Sequence, residues 1–428
     1  MARAALCVCC LFFSLLGCQS APKEAVSLGI DDQPAGTVGG ESAELTAGPL
    51  AENAAPAAPR DRSSVTALSA GFAAVAPSVP DNGVLPFGDL YLWRRPDRDT
   101  FFRGVVAGVA NEIFFSKSAR RMQPFEGVFT FENYTVPVDQ TFFVDGMPID
   151  DEELRWGQVY PGLGVGFRRP LASGRNDNML AVTFLAEPGV LYFNEGNDTD
   201  AGFSVPENTF EVRARLQMRL DALQRNALEL PDQGYATGFD TVYGYRANWD
   251  PWGPSAQNDA NIDYLAFEGY LFGASRVPFV ESNRHRLLGS LHGGLGANQD
   301  RFSAFHVGGG PRPYGDEYGG IRRPIIPGAL INEFEAPSYA VLLGEYRWEL
   351  IPSTFLSLRS SFSYVDRLRS KNGQVVESND FLASAGFRIT TLFLLETKLQ
   401  LDYNFSAGVI RRGDFGGHEV LLQLFREF

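Results

Sequence analysis

The sequence predicts an all-β protein: a transmembrane antiparallel β-barrel of about 16 strands (14–16), preceded by a disordered N-terminal tail. Three observations predict this class. Apolar and polar residues alternate over segments of 11 to 13 residues, long enough to cross a bilayer at a tilt. Charged residues fall on one face of these segments. After residue 17, no uninterrupted apolar run reaches the length of about 18 residues that a membrane-spanning helix needs.

The first 17 residues, MARAALCVCCLFFSLLG, have the form of a signal peptide, because Arg3 precedes a short uncharged apolar run. The run ends in Leu15-Leu16-Gly17-Cys18, which resembles the lipobox of bacterial lipoproteins; the alternative is an ordinary signal with a chance cysteine. The resemblance implies a covalent lipid on Cys18, and Gln19 is compatible with export to the outer membrane. All four cysteines lie in the first 18 residues, so a mature chain would contain no intramolecular disulfide.

Residues 18–85 are predicted to be a lipidated, disordered linker, and residues 86–428 to form the barrel. The linker is rich in Ala, Pro, Gly and Ser and contains few aromatic residues. Such a composition buries too little apolar surface to offset the entropy of ordering the chain. Its segment ALSAGFAAVAP (67–77) is expected at most to form a short helix with nothing to pack against.

The strand pattern is clearest in FEVRARLQMRLDA (210–222), where Phe210 and Val212 share an apolar face and three arginines (213, 215 and 219) share the polar one. These arginines either give a pore an anion preference or pair with acidic residues of the wall. Thirteen segments are predicted to be strands: 104–115, 125–134, 160–169, 178–193, 208–222, 236–247, 262–273, 284–296, 338–350, 354–366, 380–391, 395–411 and 418–428. Three shorter segments, 90–94, 139–144 and 302–308, bring the number to 16, which is even, as in single-chain bacterial barrels.

One turn signal carries a family resemblance. In DALQRNALELPDQGYATGF, the residues Asp221, Asn226, Pro231 and Gly234 follow the pattern of a periplasmic hairpin in the BamA/TamA-type outer-membrane assembly superfamily, also called the bacterial surface antigen family. Physically, proline presets φ and glycine accepts a positive φ, so the pair suits a reversal between long strands. The similar members carry periplasmic POTRA modules, whereas residues 18–85 show no α/β periodicity, so a member without these modules is expected.

The glycine-rich stretch FHVGGGPRPYGDEYGG (305–320) has two possible interpretations. A phosphate cradle would require a helix to follow, but IRRPIIPGAL has no helical period. The stretch instead resembles the family's long loop that folds back into the barrel, with Gly309 and Gly310 before Arg312 and Tyr314, although prolines replace the family's Val and Gly. The resemblance implies that residues 305–337 lie in the lumen and that Arg312 pairs with an acidic residue of a following strand, which Glu345 matches.

The chain ends in LLQLFREF, and a C-terminal Phe428 on a strand resembles the signal by which the barrel-assembly machinery recognises its substrates. Arg426 departs from that signal, because an apolar residue is usual there. The resemblance therefore implies a protein of the bacterial outer membrane, both lipid-anchored and integral.

The resemblance implies insertion of outer-membrane proteins or transport of polypeptides, with a polypeptide client or a periplasmic partner; the alternative is a passive channel or a structural barrel. A barrel hydrolase has less support, since no nucleophile motif surrounds the histidines at 285, 292, 306 and 418. The chain is expected not to be an enzyme, and no catalytic residue, cofactor or metal is assigned. Acidic runs at 150–153 and 194–200 are either Ca²⁺ ligands or solvated loops. A net charge of −14 excludes general nucleic-acid binding.

Overall fold

The computed structural model describes most of the chain after residue 63. The described residues are 64–78, 83–97, 99–118, 124–135, 140–145, 147–171, 179–226, 228–254, 261–311, 322–371, 374–392 and 397–428. The predicted signal peptide, Cys18 and most of the predicted linker therefore lie outside the described residues. No helix long and apolar enough to span a membrane occurs in the described part of the chain.

Sixteen antiparallel strands of the described chain form one closed barrel. They are β1 (Ser64–Ala76), β2 (Val84–Arg94), β3 (Thr100–Val106), β4 (Ala110–Ser118), β5 (Phe125–Thr135), β6 (Met147–Pro170), β7 (Met179–Glu195), β8 (Thr209–Asp221), β9 (Pro231–Arg246), β10 (Asp263–Arg276), β11 (His285–Ala297), β12 (Ser338–Ile351), β13 (Thr354–Lys371), β14 (Gln374–Leu392), β15 (Lys398–Arg411) and β16 (Asp414–Glu427). Each strand pairs with its neighbours in the chain. The predicted all-β barrel is confirmed.

The barrel closes where β16 returns to β1. The register of this seam runs without a break from Ala67–Glu427 to Ala76–His418. The ladder between β2 and β3 is shorter, from Leu90–Val106 to Arg94–Phe102. The seam is therefore fully paired in this structure, and it is not the shortest ladder of the wall.

The two ends of the barrel differ. Ser64 and Phe428 lie at one end, called here the terminal end; the other is called the loop end. The three longest connections between barrel strands, residues 196–208, 247–262 and 298–337, are all at the loop end. Outer-membrane barrels have short periplasmic turns and longer extracellular loops, so this asymmetry indicates that the terminal end faces the periplasm.

The polarity of the two faces of the barrel wall is the reverse of that in a soluble protein: apolar side chains face outward and charged side chains face inward. On β8, Phe210 is 50% exposed while Arg213, on the other face, is 7% exposed. On β12, Trp348 is likewise exposed and Arg347 is buried. An apolar outer face and a charged lumen suit a strand that borders lipid on one side, and they confirm the predicted assignment of faces.

The strand boundaries require three corrections. The barrel begins at Ser64, because β1 lies in the predicted linker and includes the segment expected to be at most a helix. The segment 104–115 is two strands that meet at a turn where Gly108 has a φ of 74°. The segments near 139–144 and 302–308 contain short strands, but these lie outside the barrel ladder (Gln140–Val144 pairs only with an extension of β6, and Phe305–Val307 with Phe334–Ala336). The predicted total of 16 was correct because these errors compensate.

Strand β1 was missed for a physical reason. Its residues are mostly Ala, Gly and Ser, so the polar–apolar contrast that marks the other strands is weak. Strand β1 is held in place by pairing on both sides, with β2 and with β16. Strand β16 is more than 300 positions away in the sequence. Pairing at such distance is not visible in a local pattern.

Candidate functional site: the filled lumen and its anchors

The long connection between β11 and β12, residues 298–337, folds into the lumen. Its two short strands, Phe305–Val307 and Phe334–Ala336, pair with each other. Loop side chains and inward-facing side chains of β12 to β15 form one apolar cluster, all at most 4% exposed. Its members are Val307, Ile326, Ala329, Phe334, Ala336, Tyr339, Val341, Val365, Leu382 and Val409. Apolar contact with the inner wall therefore places this loop inside the barrel.

The consecutive glycines of the loop allow its two halves to touch through their backbones. The Gly309 amide donates to the Leu330 carbonyl at 2.9 Å, and the Ile326 amide donates to the Gly308 carbonyl at 2.8 Å. A Cβ atom on Gly309 would lie 2.0 Å from the Ala329 carbonyl oxygen, and Gly310 has a φ of 95°. Side chains at these positions would force the halves apart. The glycine density serves this close approach.

Glu419, on β16, is the main anchor of the loop. Its carboxylate accepts hydrogen bonds from the Gly310 amide at 2.8 Å and from the Gly328 amide at 3.1 Å, one from each half of the loop. The Asn404 Nδ2 atom, directly opposite on β15, donates at 2.9 Å. Glu419 is 2% exposed, and a buried carboxylate that accepts several N–H groups makes strong hydrogen bonds. No motif in the sequence around Glu419 predicts this role.

Arg411, on β15, forms a second anchor. It makes a two-point ion pair with Glu333 of the loop, in which Nη2 lies 2.7 Å from Oε2. Glu333 also accepts the Leu330 amide at 2.6 Å. Arg411 is 1% exposed, so the pair is shielded from water on the arginine side. A planar guanidinium held at two points fixes orientation as well as position.

Strand β9 holds the loop at two further points. The Arg322 Nη1 atom of the loop lies 3.1 Å from Asp240. Arg246 bonds to Asp300 of the loop and, through Nε at 2.8 Å, to Glu211 of β8. The loop is thus tied to both β15–β16 and β8–β9.

The predicted Arg312–Glu345 pair is outside what the structure describes, because Arg312 and Tyr314 are not among the described residues. Glu345 lies on the inner face of β12, accepts a hydrogen bond from the Ser357 hydroxyl at 2.7 Å and lies 3.7 Å from Arg359 Nε. The Arg312–Glu345 pairing stays a prediction.

In the middle of the lumen, arginine side chains of the wall form ion pairs with acidic side chains of the wall. On β8, Arg213 and Arg215 both bond to Glu132 of β5, at 3.0 and 2.8 Å, and both lie within 3.4 Å of Glu187 on β7. Arg219 bonds to both oxygens of Asp240, at 2.6 and 2.7 Å. Of the two alternatives for these arginines, the structure shows the one in which they pair with acidic residues of the wall.

The predicted hairpin residues lie at and beside the connection between β8 and β9: Asp221 ends β8, Asn226 is in the turn, and Pro231 and Gly234 belong to the start of β9. The Arg225 guanidinium pairs with Asp221 at 2.7 Å. Asn226 Oδ1 accepts two amides, those of Leu228 and Leu230, each at 3.0 Å. Pro231 opens β9, and its carbonyl accepts a hydrogen bond from Arg347. Gly234 has a φ of 106°, and a Cβ atom there would lie 2.3 Å from the Ala222 carbonyl oxygen.

This turn, residues 222–230, reaches across the terminal end of the lumen. Leu223 is fully buried against inward-facing residues of β9 to β11, among them Tyr270 and Phe272. Leu228 contacts Phe355 of β13. Lys398 of β15 lies with its Nζ atom 3.5 Å from the Leu228 carbonyl oxygen. The turn therefore narrows the end opposite the large loop.

Aromatic side chains fill the terminal end beside the seam. Trp93, Phe101 and Phe114 pack in one buried cluster with Phe425 of β16. The Arg168 guanidinium lies 4.1 Å from the Phe101 ring centroid and 3.1 Å from Glu126. At the chain end, the Phe428 amide donates to the Thr66 carbonyl at 2.8 Å, while the Phe428 side chain is 70% exposed.

A second aromatic cluster lies at the loop end. Three connections contribute Phe203, Trp249, Trp252 and Phe302, which pack on Trp156 and its neighbours of the inner wall. His306 stacks on Trp156 at a centroid distance of 6.3 Å. Burial lowers the pKa of His306, so its neutral form is favoured. The lumen is therefore occupied at its middle and at both ends.

The other three histidines also contact aromatic rings. His285 stacks on Trp348, His292 on Tyr270, and His418 contacts Tyr403. His285 and His418 each hydrogen-bond the hydroxyl of a tyrosine, Tyr346 and Tyr403 respectively.

The chain is similar to several solved structures. BamA from Haemophilus ducreyi, in a crystal structure lacking POTRA domains 1-3, matches with a TM-score of 0.50 and 10% sequence identity over 86% of this chain and 71% of that one. CdiB from Acinetobacter baumannii also matches, with a TM-score of 0.47 and 11% identity over 85% of this chain and 60% of that one. CdiB from Escherichia coli matches with a TM-score of 0.46 and 12% identity over 85% of this chain and 63% of that one. The chain thus spans less than two thirds of both CdiB proteins.

Neither a protein-family model nor a curated protein matches the sequence. At 10% identity, the match to BamA shows a shared fold, that of an outer-membrane β-barrel. It confirms the fold that the resemblance implied.

Proposed function

We propose that this protein takes part in the insertion of outer-membrane proteins or the transport of polypeptides across that membrane, without enzymatic chemistry. The observation that carries the proposal is the position of Glu419. This residue holds both halves of the lumen loop, and it lies on β16, the strand that closes the barrel against β1. A shift of β16 would therefore move the acceptor for two loop amides, so seam and loop are mechanically coupled.

The contents of the lumen support a moving barrel over a static pore. The loop, the turn 222–230 and two aromatic clusters occupy the described lumen from end to end. A passive channel needs a permanent water-filled path, as in the larger porins. A polypeptide transporter or insertase needs a closed resting state and a way to open it.

The seam itself is suited to separation and re-pairing. At Gly71 of β1, a Cβ atom would lie 2.0 Å from the Leu422 carbonyl oxygen of β16, so the two backbones approach closely there. The β1 side chains that face the lumen are small, among them Ala67, Ser69 and Ala73. An open seam would expose unpaired N–H and C=O groups of β1 and β16, which can template an incoming strand.

The test is a disulfide across the seam. Ala70 and Leu424 are register partners, so Ala70→Cys with Leu424→Cys would lock it, in a full-length chain whose native cysteines are replaced by serine. The matched control joins Leu342→Cys with Phe362→Cys, register partners on β12 and β13. Vesicles containing the protein receive an unfolded eight-stranded outer-membrane barrel, and its insertion is followed by protease protection.

We expect the protein to accelerate insertion, oxidation of the seam pair to abolish the acceleration, and the control pair to leave it intact. If the protein gives no acceleration, or if the locked seam inserts as fast as the control, the proposal is wrong. A large, steady bilayer conductance in the same protein would instead favour the passive channel.

A further inference from the structure

Four cations form a row on the outer surface of the barrel at its terminal end. They are Arg94 on β2, Lys117 on β4, Arg169 on β6 and Arg426 on β16. Arg94 is the last residue of its strand, and each of the others is the last but one. All four strands run toward the terminal end, so these residues share one rim, called here the basic collar.

The alternation of faces shows that the collar points outward. Outward-facing residues recur every two positions along a strand. Phe115, two positions before Lys117, is exposed, and so is Leu424, two positions before Arg426. On β6, Val165 is exposed four positions before Arg169. The inward neighbours Ser116, Arg168 and Phe425 are buried. Each cation therefore follows the apolar outer face of its strand directly, at the depth where hydrocarbon gives way to lipid headgroups.

The collar has regular spacing and covers one arc only. Successive members lie two strands apart, from β16 to β2, β4 and β6. Neighbouring strands are about 5 Å apart, so the cations recur about every 10 Å around the rim. Around the rest of the barrel, the strands that run to the same rim end in outward residues without charge: Leu220, Ser275, Leu350 and Thr391. The collar thus covers the arc from β16 to β6, and the seam lies between its first two members, Arg426 and Arg94.

We infer that the basic collar binds the phosphate groups of anionic phospholipids in the leaflet that surrounds the terminal end of the barrel. A lipid headgroup is favoured over a soluble acidic partner, because the side chains project from the lipid-facing surface at its border. Lys117, Arg169 and Arg426 are exposed. Long basic side chains at this depth place their aliphatic stems on apolar surface and their charge among headgroups.

The collar gives the seam a distinct lipid neighbourhood. Arg94 already bridges to β1 through the Val65 carbonyl at 2.6 Å and the Thr66 hydroxyl at 2.7 Å. Arg426 lies beside the seam on its other side, in register with Leu68 of β1. Anionic lipids bound here would flank both strands of the closing pair. This inference stands whether or not the protein moves polypeptides.

The test measures lipid selectivity of the full chain in phosphatidylcholine bilayers. Trace amounts of spin-labelled phosphatidylglycerol or phosphatidylcholine report, by electron paramagnetic resonance, the fraction of each lipid that the protein immobilises. The test variant combines Lys117→Gln, Arg169→Gln and Arg426→Gln, which spares the β1 contacts of Arg94. The matched control combines Arg155→Gln, Arg323→Gln and Arg412→Gln, three arginines of the loop end that hydrogen-bond Asn197, Asn332 and Ser78.

The wild type should prefer phosphatidylglycerol by about threefold at low salt, and 1 M salt should remove most of the preference. The test variant should lose the preference while the control keeps it, with both variants shown to be folded by their heat-dependent migration on gels. Three results would overturn the inference: no preference in the wild type, an unchanged preference in the test variant, or equal loss in the control. Loss of polyglutamate binding in the test variant with unchanged lipid selectivity would assign the collar to an acidic polypeptide instead.

Discussion

The Glu419 carboxylate of β16 accepts the Gly310 amide at 2.8 Å, although 109 positions separate the two residues. The same carboxylate accepts the Gly328 amide from the other half of the loop. One side chain on the closing strand thus pins the loop where its two halves converge. This relationship underlies the proposed coupling between the loop and the seam.

Replacing Glu419 by alanine should release the loop. Glu419→Ala leaves the buried Gly310 and Gly328 amides without their acceptor, at a cost of about 1–3 kcal/mol in the free energy of unfolding for each unsatisfied group. Planar-bilayer recordings should change from a small, quiet conductance to a larger, flickering one. The control is Val420→Ala, because Val420 follows Glu419 directly and its side chain faces the lipid. This variant should keep the small, quiet conductance. An equally quiet Glu419→Ala variant would show that the apolar cluster alone holds the loop.

The Arg411–Glu333 pair should behave as a unit. Arg411→Ala leaves a buried carboxylate unpaired and should destabilise the protein by about 3–5 kcal/mol, whereas removing both partners should cost less than the sum of the single changes. Urea unfolding of the two single variants and the double variant measures the coupling energy. Additive losses would mean that the two residues stabilise the loop independently.

Removing Glu132 should expose the charge of its arginine partners. In Glu132→Gln, Arg213 and Arg215 keep only Glu187 as an ion-pair partner among those described above. The residual current should then shift toward anions, with a chloride-to-potassium permeability ratio raised about twofold. Reversal potentials in a KCl gradient measure this ratio. Glu207→Gln changes the same charge at an exposed loop position, and a shift of equal size there would refute the assignment.

Alanine at Gly234 should impair folding of the wall. The positive φ at this position and the approach of the Ala222 carbonyl oxygen make a side chain costly by about 1–3 kcal/mol. Gly234→Ala should therefore refold into vesicles in lower yield, as judged by heat-dependent gel migration. Gly269→Ala is the control, because a Cβ atom there would meet its nearest neighbour at an ordinary 3.4 Å. Equal yields for the two variants would remove the strained turn as a folding requirement.

Conductance experiments need the corrected domain boundary. A fragment that begins at residue 86, the predicted start of the barrel, would lack β1 and the seam it forms with β16. The full chain is the appropriate material for each measurement above.

The hairpin and loop motifs were recognisable because their chemistry is local. Pro231 and Gly234 signal a reversal, and three consecutive glycines signal close backbone contact, whatever surrounds them. The anchors Glu419 and Arg411 gave no such signal. Each is one more charged residue on a polar strand face, and its role depends on what the closed barrel brings opposite it.

The sequence by itself determined the class of fold and the faces of its strands, because alternation depends on neighbouring residues, whereas the position of the loop in the lumen was implied by the resemblance of its motif to a family. Tertiary structure alone decided where the barrel begins, how the lumen arginines are paired and which residue holds the loop. The physical reason is the same in each case. A low-contrast strand such as β1, or a carboxylate such as Glu419, acquires its structure or role from partners more than 100 positions away, which meet it only when the wall closes.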